Sequence, residues 1–261
     1  MLCKDIIGAL EINYPPSCAL EWDNVGLLAG RDDREIKKIY VALDATDEVV
    51  DAALEEGAEL LITHHPLIFG GLKQINNRDF IGRRILKLLN NDISYYVMHT
   101  NYDVRGMAKL SASLIGFENA AVLEVTGCDE QGKEEGIGSI IEMGAVLSLE
   151  DWCEKVKQAF GLAYVRVFGE MTAAIKRAAI CPGSGKSVIE TALEKGADLL
   201  ITGDIGHHEG LDATARGMAI IDAGHYGIEH IFVSDVARYL RETFPDISVI
   251  QQPLSHPFII V

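Results

Sequence analysis

The sequence predicts an α/β protein built from two similar lobes, and three observations lead to this prediction. Short apolar segments alternate with amphipathic segments of helical period, which is typical of parallel strands joined by crossover helices. The segment AALEEGAELLITHH (52–65) recurs as TALEKGADLLITGD (191–204). The apolar segments before the two copies, IYVALD and AAICPG, also correspond in place. We therefore expect two lobes with parallel or mixed sheets flanked by helices, related by an internal repeat.

The sequence of the first half predicts an alternating series of strands and helices. KKIYVALDAT predicts a strand at about 39–43, and DEVVDAALEEGA predicts a helix that Gly57 ends. ELLIT is the next strand, so these three elements form one parallel crossover unit. The pattern then predicts a helix at about 79–90, a strand at 94–98 and a helix at about 107–115.

The second half begins after a polar, glycine-rich segment, VTGCDEQGKEEGIG (125–138), which we interpret as the link between the lobes. This interpretation assigns residues 1–125 to the first lobe and 126–261 to the second. Ser148 is a predicted N-cap for a helix at 149–160. The remaining elements are strands at 138–146, at YVRVFG and at the second repeat, a helix at about 227–243, and a strand at ISVIQQPL.

Composition and charge exclude several classes of protein. The chain has 23 Lys and Arg against 39 Asp and Glu, a net charge of −16, which repels phosphate backbones and disfavours nucleic-acid binding. The five cysteines are odd in number, scattered and without a C-x-x-C pair, which disfavours a disulfide framework. No segment is apolar enough to span a bilayer, and the N-terminus lacks the features of a signal peptide. We therefore expect a cytoplasmic protein that does not enter a membrane.

Polar residues that can bind metals or transfer protons follow the predicted strands. The first repeat ends in THHP, the second in TGDIGHH, and the strand at 94–98 is followed by HTNYD. Because the carboxyl ends of parallel strands gather ligand sites, these side chains are candidates for one functional site. They are His64, His65, His99, Asp103, Asp204, His207 and His208.

The GHYGIEH segment adds a further pair, His225 and Glu229. Residues four apart share one face of a helix, which is the spacing of helical metal ligands; Asp204 and His208 have the same spacing. The adjacent His64 and His65 point to different sides of the backbone, so they suit two neighbouring ions better than one.

Imidazole and carboxylate ligands favour Zn²⁺, Mn²⁺, Fe²⁺ or Co²⁺. The sequence thus predicts two divalent transition-metal ions per chain, whose identity stays open. Two ions about 3.5–4 Å apart would activate a water for hydrolysis.

Each motif alone also fits a plainer interpretation. HHP can be a strand end with surface histidines, the HTNYD segment can be a turn in which Asn101 or Asp103 bonds the backbone, and HYGIE can be a solvated helix face. The metal hypothesis depends on their joint occurrence at strand ends. The segment EWDNVG can likewise be a structural turn in which Asp23 or Asn24 bonds the backbone.

Five segments together resemble the NIF-three-like family, also known as dinuclear metal centre hexameric proteins or GTP cyclohydrolase 1 type 2 homologues. The segments are EWDNVGLL, LLITHHPLIF, MHTNYDV, LLITGDIGHHEGLDA and GHYGIE, which follow the family's order from about residue 21 to 229. The short 126–170 segment resembles the form of the family without a central insert. The resemblance implies two similar α/β lobes and a toroidal homo-hexamer whose metal sites face an internal cavity.

The resemblance also implies a set of site residues. His64 and His225 would bind one ion, His65 and Asp103 the other, and Glu229 would bridge them. The helix that carries His225 and Glu229 would accordingly return to the metal site of the first lobe.

His99, Asp204 and His208 match further family positions around the same cavity. His99 and His208 are candidate catalytic proton carriers. Whether these three residues are ligands, proton carriers or cavity wall stays open.

Two functions compete at this stage. The first is a dinuclear metal-dependent hydrolase of a small molecule, with a nucleotide as one candidate, because the cyclohydrolase name implies hydrolytic opening of the imidazole ring of GTP. The second is a metal-binding hexameric scaffold or regulator without catalysis. A catalytic ion keeps an open water position, whereas a structural ion is closed, and this difference separates the two.

Overall fold

A computed structural model describes residues 1–259 and 261. Its contacts define two compact units. The first unit consists of Met1–Tyr102 and Phe232–Ser255, and the second of Asp103–Ile231 and His256–Val261. The division after residue 125 follows the sequence repeat and does not coincide with these contact-defined units.

The secondary structure of the described residues alternates between strands and helices. The strands are β1 (Gly26–Ala29), β2 (Lys38–Ala42), β3 (Leu60–Thr63), β4 (Ser94–Val97), β5 (Ala121–Cys128), β6 (Glu134–Ser148), β7 (Arg166–Phe168), β8 (Ala174–Ser184), β9 (Leu199–Gly203), β10 (Ala219–Asp222) and β11 (Ser248–Gln251). The α-helices are α1 (Cys3–Asn13), α2 (Asp47–Glu55), α3 (Phe80–Asn90), α4 (Thr100–Tyr102), α5 (Ala108–Leu114), α6 (Leu149–Phe160), α7 (Ile189–Glu194), α8 (His207–Ala215), α9 (His225–Glu229) and α10 (Ile231–Thr243). Short 3-10 segments lie at Pro16–Cys18 and Gly185–Val188, and a π-helical segment at Asp103–Met107.

The first unit contains a five-stranded sheet in the order β1-β4-β3-β2-β11. The last four of these strands are parallel, and β1 pairs antiparallel with β4. Ala42, Thr63 and Val97 are in register across β2, β3 and β4. Because these are the last residues of their strands, the residues that follow them gather at one edge of the sheet.

The second unit contains a six-stranded sheet in the order β5-β6-β8-β9-β10-β7. The strands β8, β9 and β10 are parallel, and the remaining pairs are antiparallel. Thr202 near the end of β9 is in register with Asp222 at the end of β10. Apolar residues of these strands, such as Leu200 and Ile220, are fully buried in the core of this unit.

The two repeats adopt the same local structure. β2-α2-β3 and β8-α7-β9 are both parallel strand–helix–strand units. Gly57 and Gly196, which follow the two helices, have φ of +66° and +70°. Glycine adopts this left-handed conformation without a steric cost, which explains the glycine at both turns. The predicted mixed α/β fold is therefore confirmed.

The structure refines several predicted elements. Ser148 caps α6 as predicted, in a capping box with Asp151. The predicted helix at 227–243 is two helices that meet at His230, whose Nδ1 bonds to the Gly227 carbonyl oxygen. The segment interpreted as a link, 125–138, forms the end of β5, a turn and the start of β6, and Val125 pairs with Gly136 and Cys128 with Glu134.

Within the described part of the chain, α-helices long and apolar enough to cross a membrane are absent.

Candidate metal centre

His64 and His65 follow β3, whose residues are all buried. The His64 and His65 amides both donate to the Leu43 carbonyl oxygen, at 3.2 and 2.9 Å. The two rings diverge, with centroids 5.0 Å apart and planes at 48°. The side chain of His64 is fully buried, whereas that of His65 is partly exposed. The structure therefore places two imidazoles at one strand end in different orientations.

Each of these rings is held through Nδ1. Nδ1 of His64 lies 2.8 Å from the Met98 carbonyl oxygen, and Nδ1 of His65 lies 2.7 Å from Asp44 Oδ1. Because a carbonyl or carboxylate oxygen can only accept a hydrogen bond, Nδ1–H donates and Nε2 carries the lone pair. Histidine ligands of metals are usually held in this way by an acceptor on the other ring nitrogen.

His99 follows β4 and is held by Asp23, from the loop before β1. Nδ1 of His99 lies 2.8 Å from Asp23 Oδ1, and the Thr100 amide donates to Asp23 Oδ2 at 2.9 Å. Burial of this carboxylate opposes its ionisation, but the hydrogen bonds from His99 and Thr100 outweigh burial and lower the pKa of Asp23 to about 2. Asp23 is therefore a buried carboxylate that orients His99 and tethers the start of α4.

The three imidazoles of the first unit form one group. Ring centroids of His64 and His99 lie 5.1 Å apart, and those of His65 and His99 lie 5.6 Å apart. One ring nitrogen from each of the three residues lies within 4.8 Å of the others. This spacing is compatible with a shared ion, since two ligand atoms on opposite sides of an ion are about 4 Å apart.

His225 and Glu229 form the core of a second group, in the second unit. Both lie on α9, and Nε2 of His225 lies 3.0 Å from Glu229 Oε2. The predicted shared helix face is therefore present. Nδ1 of His225 lies 2.7 Å from Asp204 Oδ2, so this ring is held by an acceptor as well. Glu229 is a buried carboxylate, with 3% of its surface exposed.

Glycines allow the close packing around this group. A Cβ on Gly183 would lie 2.4 Å from Glu229 Oε1, and the φ of Gly183 is +81°. A Cβ on Gly203 would lie 2.6 Å from the His225 amide nitrogen. β8 and β9 therefore approach α9 more closely than a larger residue would permit.

Asp103 begins the π-helical segment, a feature that is often found at functional sites. Burial raises the pKa of the Cys181 thiol, and the charges of Asp103 and Glu229 raise it further. Two carboxylates of the predicted ligand set thus act on the same buried thiol.

His207 and His208 begin α8 and are exposed, with ring centroids 5.2 Å apart. Asp204 and His208 share the four-residue spacing but not a helix face, because Asp204 precedes α8 and has φ of +55°. Its carboxylate contacts His225 instead. Among the described residues, candidate metal groups do not include His208.

Three carboxylates hold these rings, and sequence reasoning identified only Asp204 as a site candidate, without its role. Asp44 follows β2, so the rule that strand ends gather functional residues could have identified it as well. Asp23 lies in a loop 76 residues before His99, and the sequence has no local signal for their contact.

The comparisons with known proteins identify the family. A model of the DUF34/NIF3 family (NGG1p interacting factor 3) matches residues 1–256. This chain belongs to the DUF34/NIF3 family. The resemblance inferred from the sequence is thus confirmed.

Relatives match this NIF3-family chain over nearly its whole length. A Clostridium perfringens protein named GTP cyclohydrolase 1 type 2 homolog is 35% identical over 93% of this chain and 92% of its own. A Lactococcus lactis protein of the same name is 36% identical over 99% of both chains. The crystal structure of a Bacillus cereus protein related to NIF3 has a TM-score of 0.92 and 26% identity, covering 100% of this chain and 99% of its own.

The residues of this NIF3-family chain fit a divalent transition-metal ion. The donors are imidazole nitrogens and carboxylate oxygens, the ligand types that Zn²⁺, Mn²⁺, Fe²⁺ and Co²⁺ accept. Besides His230, which bonds to Gly227, four histidines are oriented through Nδ1 by an oxygen acceptor: His64, His65, His99 and His225. The structure therefore contains groups that could bind a metal.

Proposed function

We propose that this protein is a dinuclear metal-dependent hydrolase of a small molecule, with nucleotides as the first class to test. The proposed ligands are His64, His65, Asp103, His225 and Glu229. The names of the relatives support a hydrolytic reaction, because GTP cyclohydrolase activity consumes water.

One observation carries the proposal, namely the common orientation of the histidines. A lone surface histidine has no need of a fixed tautomer, yet each of these four rings has Nδ1 within 2.8 Å of an oxygen acceptor. Fixing Nδ1–H sets Nε2 as the ligand or base atom. Fixing four rings in one orientation costs side-chain entropy, and this cost is consistent with a shared functional role for the four histidines.

When bound, the ions would act as Lewis acids and would lower the pKa of a water molecule to about 7. The residues of the chain have separate roles. Asp23 holds His99 so that its Nε2 can accept a proton and return it to the leaving group. His208 is proposed as a second proton carrier, and its exposed position on α8 permits exchange with solvent.

The net charge of −16 fits a small substrate that is bound through metal ions. The proposed assembly is a homo-hexamer. In the competing function, a metal-binding scaffold or regulator, the same ligands would bind ions without turnover.

Elemental analysis and a ligand variant test the proposal. The wild-type protein, incubated with Zn²⁺, Mn²⁺ or Fe²⁺, should hold about two ions per chain, as expected for a two-metal site. Glu229→Gln should lose metal and lower hydrolysis of GTP or a phosphate ester by about a hundredfold or more. Glu242→Gln, at an exposed glutamate, is the matched control and should retain both.

Three outcomes separate the functions. Metal binding with turnover that Glu229→Gln abolishes supports the hydrolase. Two ions per chain without turnover of any nucleotide or phosphate ester supports the scaffold. A metal content near zero in wild type after incubation with each ion contradicts both, since both require a metal centre. Circular dichroism of the two variants checks that they are folded.

A further inference from the structure

A cavity in the second unit lies beside His225. Its volume is about 570 Å³, within the range of small-molecule sites, and its lining is mainly apolar and aromatic. Tyr164, Tyr226 and Phe258 contribute aromatic rings, and Leu162 contributes an aliphatic side chain. Tyr164 and Phe258 are 42% and 53% exposed, so apolar surface faces the opening. Aromatic side chains in this arrangement favour a planar ring as the ligand.

A fixed guanidinium group also lines this cavity. Nη2 of Arg166 donates to the Ile205 carbonyl oxygen at 2.6 Å and to Asp222 Oδ2. Asp222 is buried and accepts from the amides of Ile205 and Gly224, so it is itself held rigidly. The bonds of Arg166 within the described residues thus use one nitrogen, and the other N–H groups of its planar fork can donate to a ligand.

An acceptor lies in the same cavity. Asp204 Oδ2 bonds to Nδ1 of His225, and its side chain is 55% exposed. In the described part of the chain Oδ1 of Asp204 has no hydrogen-bond partner, so it can accept from a ligand. The cavity therefore offers aromatic surface, the guanidinium donors of Arg166 and the carboxylate acceptor of Asp204, all beside the proposed metal ligand His225.

We propose that this cavity binds a planar heteroaromatic ring whose polar edge carries both a carbonyl acceptor and an N–H donor. Arg166 donates to the carbonyl oxygen, Asp204 accepts from the N–H group, and the aromatic side chains contact the ring faces. This inference rests on the proposed function, for which it supplies the substrate class. The cavity holds the ring at His225, next to the proposed ions.

Binding to metal-free protein tests this proposal without turnover. Calorimetric titration in the presence of EDTA compares guanosine, which has the required edge, with purine riboside, which has the same ring system and sugar without the carbonyl and amino groups, and with ribose. We expect guanosine to bind about tenfold or more tightly than purine riboside, because the latter offers no partner to Arg166 and Asp204. Ribose should not bind.

Variants assign the effect to the cavity. Tyr164→Ala and Phe258→Ala remove exposed rings and should weaken guanosine about tenfold while the fold is kept. Arg166→Gln should weaken guanosine to the level of purine riboside. Arg216→Gln, at an exposed arginine that pairs with Glu190, is the control and should bind as wild type does.

The proposal is overturned if guanosine does not bind at millimolar concentration, if purine riboside binds equally well, or if both aromatic variants bind as wild type does. These failures leave the metal content of the protein unchanged, so they are distinguishable from a failure of the proposed function. Conversely, guanosine binding in a protein that takes up no metal would support the cavity and reject the hydrolase.

Discussion

At the scale of single residues, the distinctive feature is the way in which imidazole rings are held. The acceptors differ in kind, since His64 bonds to a backbone carbonyl and His99 to a buried carboxylate. The result is the same in both residues. Nδ1–H donates a hydrogen bond, so Nε2 is the ring nitrogen that can bind a metal or accept a proton. A bulkier residue at Gly183 would disturb the corresponding arrangement around Glu229.

Gly183→Ala tests the close packing of β8 against Glu229. The new methyl group would lie 2.4 Å from Glu229 Oε1, so the carboxylate must move and the metal content should fall clearly below that of wild type. The backbone strain should lower the free energy of unfolding by about 1–3 kcal/mol. Elemental analysis and urea denaturation measure the two effects.

Gly217→Ala is the matched control, because Gly217 has φ of +90° and a methyl group added there would meet no other atom within 4 Å among the described residues. It should lose a similar free energy of unfolding and keep its metal. Equal metal content in the two variants would contradict the role of Gly183.

At the scale of elements, the repeat is the informative feature. The leucines Leu61 in β3 and Leu200 in β9 occupy corresponding positions in the two repeats, and both are fully buried. Each belongs to the core of its own unit. The LLIT segment that the two halves share thus serves packing, whereas the residues after it diverge to carry different polar groups.

Leu61→Ala and Leu200→Ala should each lower the free energy of unfolding by about 2–5 kcal/mol, because each leaves a cavity in a closely packed core. Leu211→Ala, at a leucine that is 50% exposed, is the control and should change it by less than about 1 kcal/mol. Urea denaturation measures the three values. A small effect at either buried position would contradict the equivalence of the repeats.

At the scale of the whole molecule, the proposed metal ions would offset part of the acidic charge of the chain. A net charge of −16 destabilises a compact chain through self-repulsion, and bound cations offset part of it. Ligands that bind the native state alone also stabilise it in proportion to the logarithm of their concentration.

Removal of metal should therefore lower the thermal midpoint. Chelation with EDTA should reduce Tm by several degrees, as expected for a loss of about 2 kcal/mol or more, and added Zn²⁺ or Mn²⁺ should restore it. Light scattering of the same samples should give six times the chain mass of 28.5 kDa before chelation. An unchanged Tm with complete loss of bound metal would contradict the coupling of the metal to the fold.

The sequence by itself determined most of the strands, most of the helices, the repeat and the placement of histidines at strand ends, but it did not indicate β5 or β10. These features depend on local periodicity and on the register of parallel strands, which brings the carboxyl ends together. Only the tertiary structure decided which acceptor holds which ring, because Asp23 and His99 are 76 residues apart and meet only in the folded chain. It also decided the break at His230 and the hairpin over 125–138, where side-chain and backbone hydrogen bonds outweigh the local pattern.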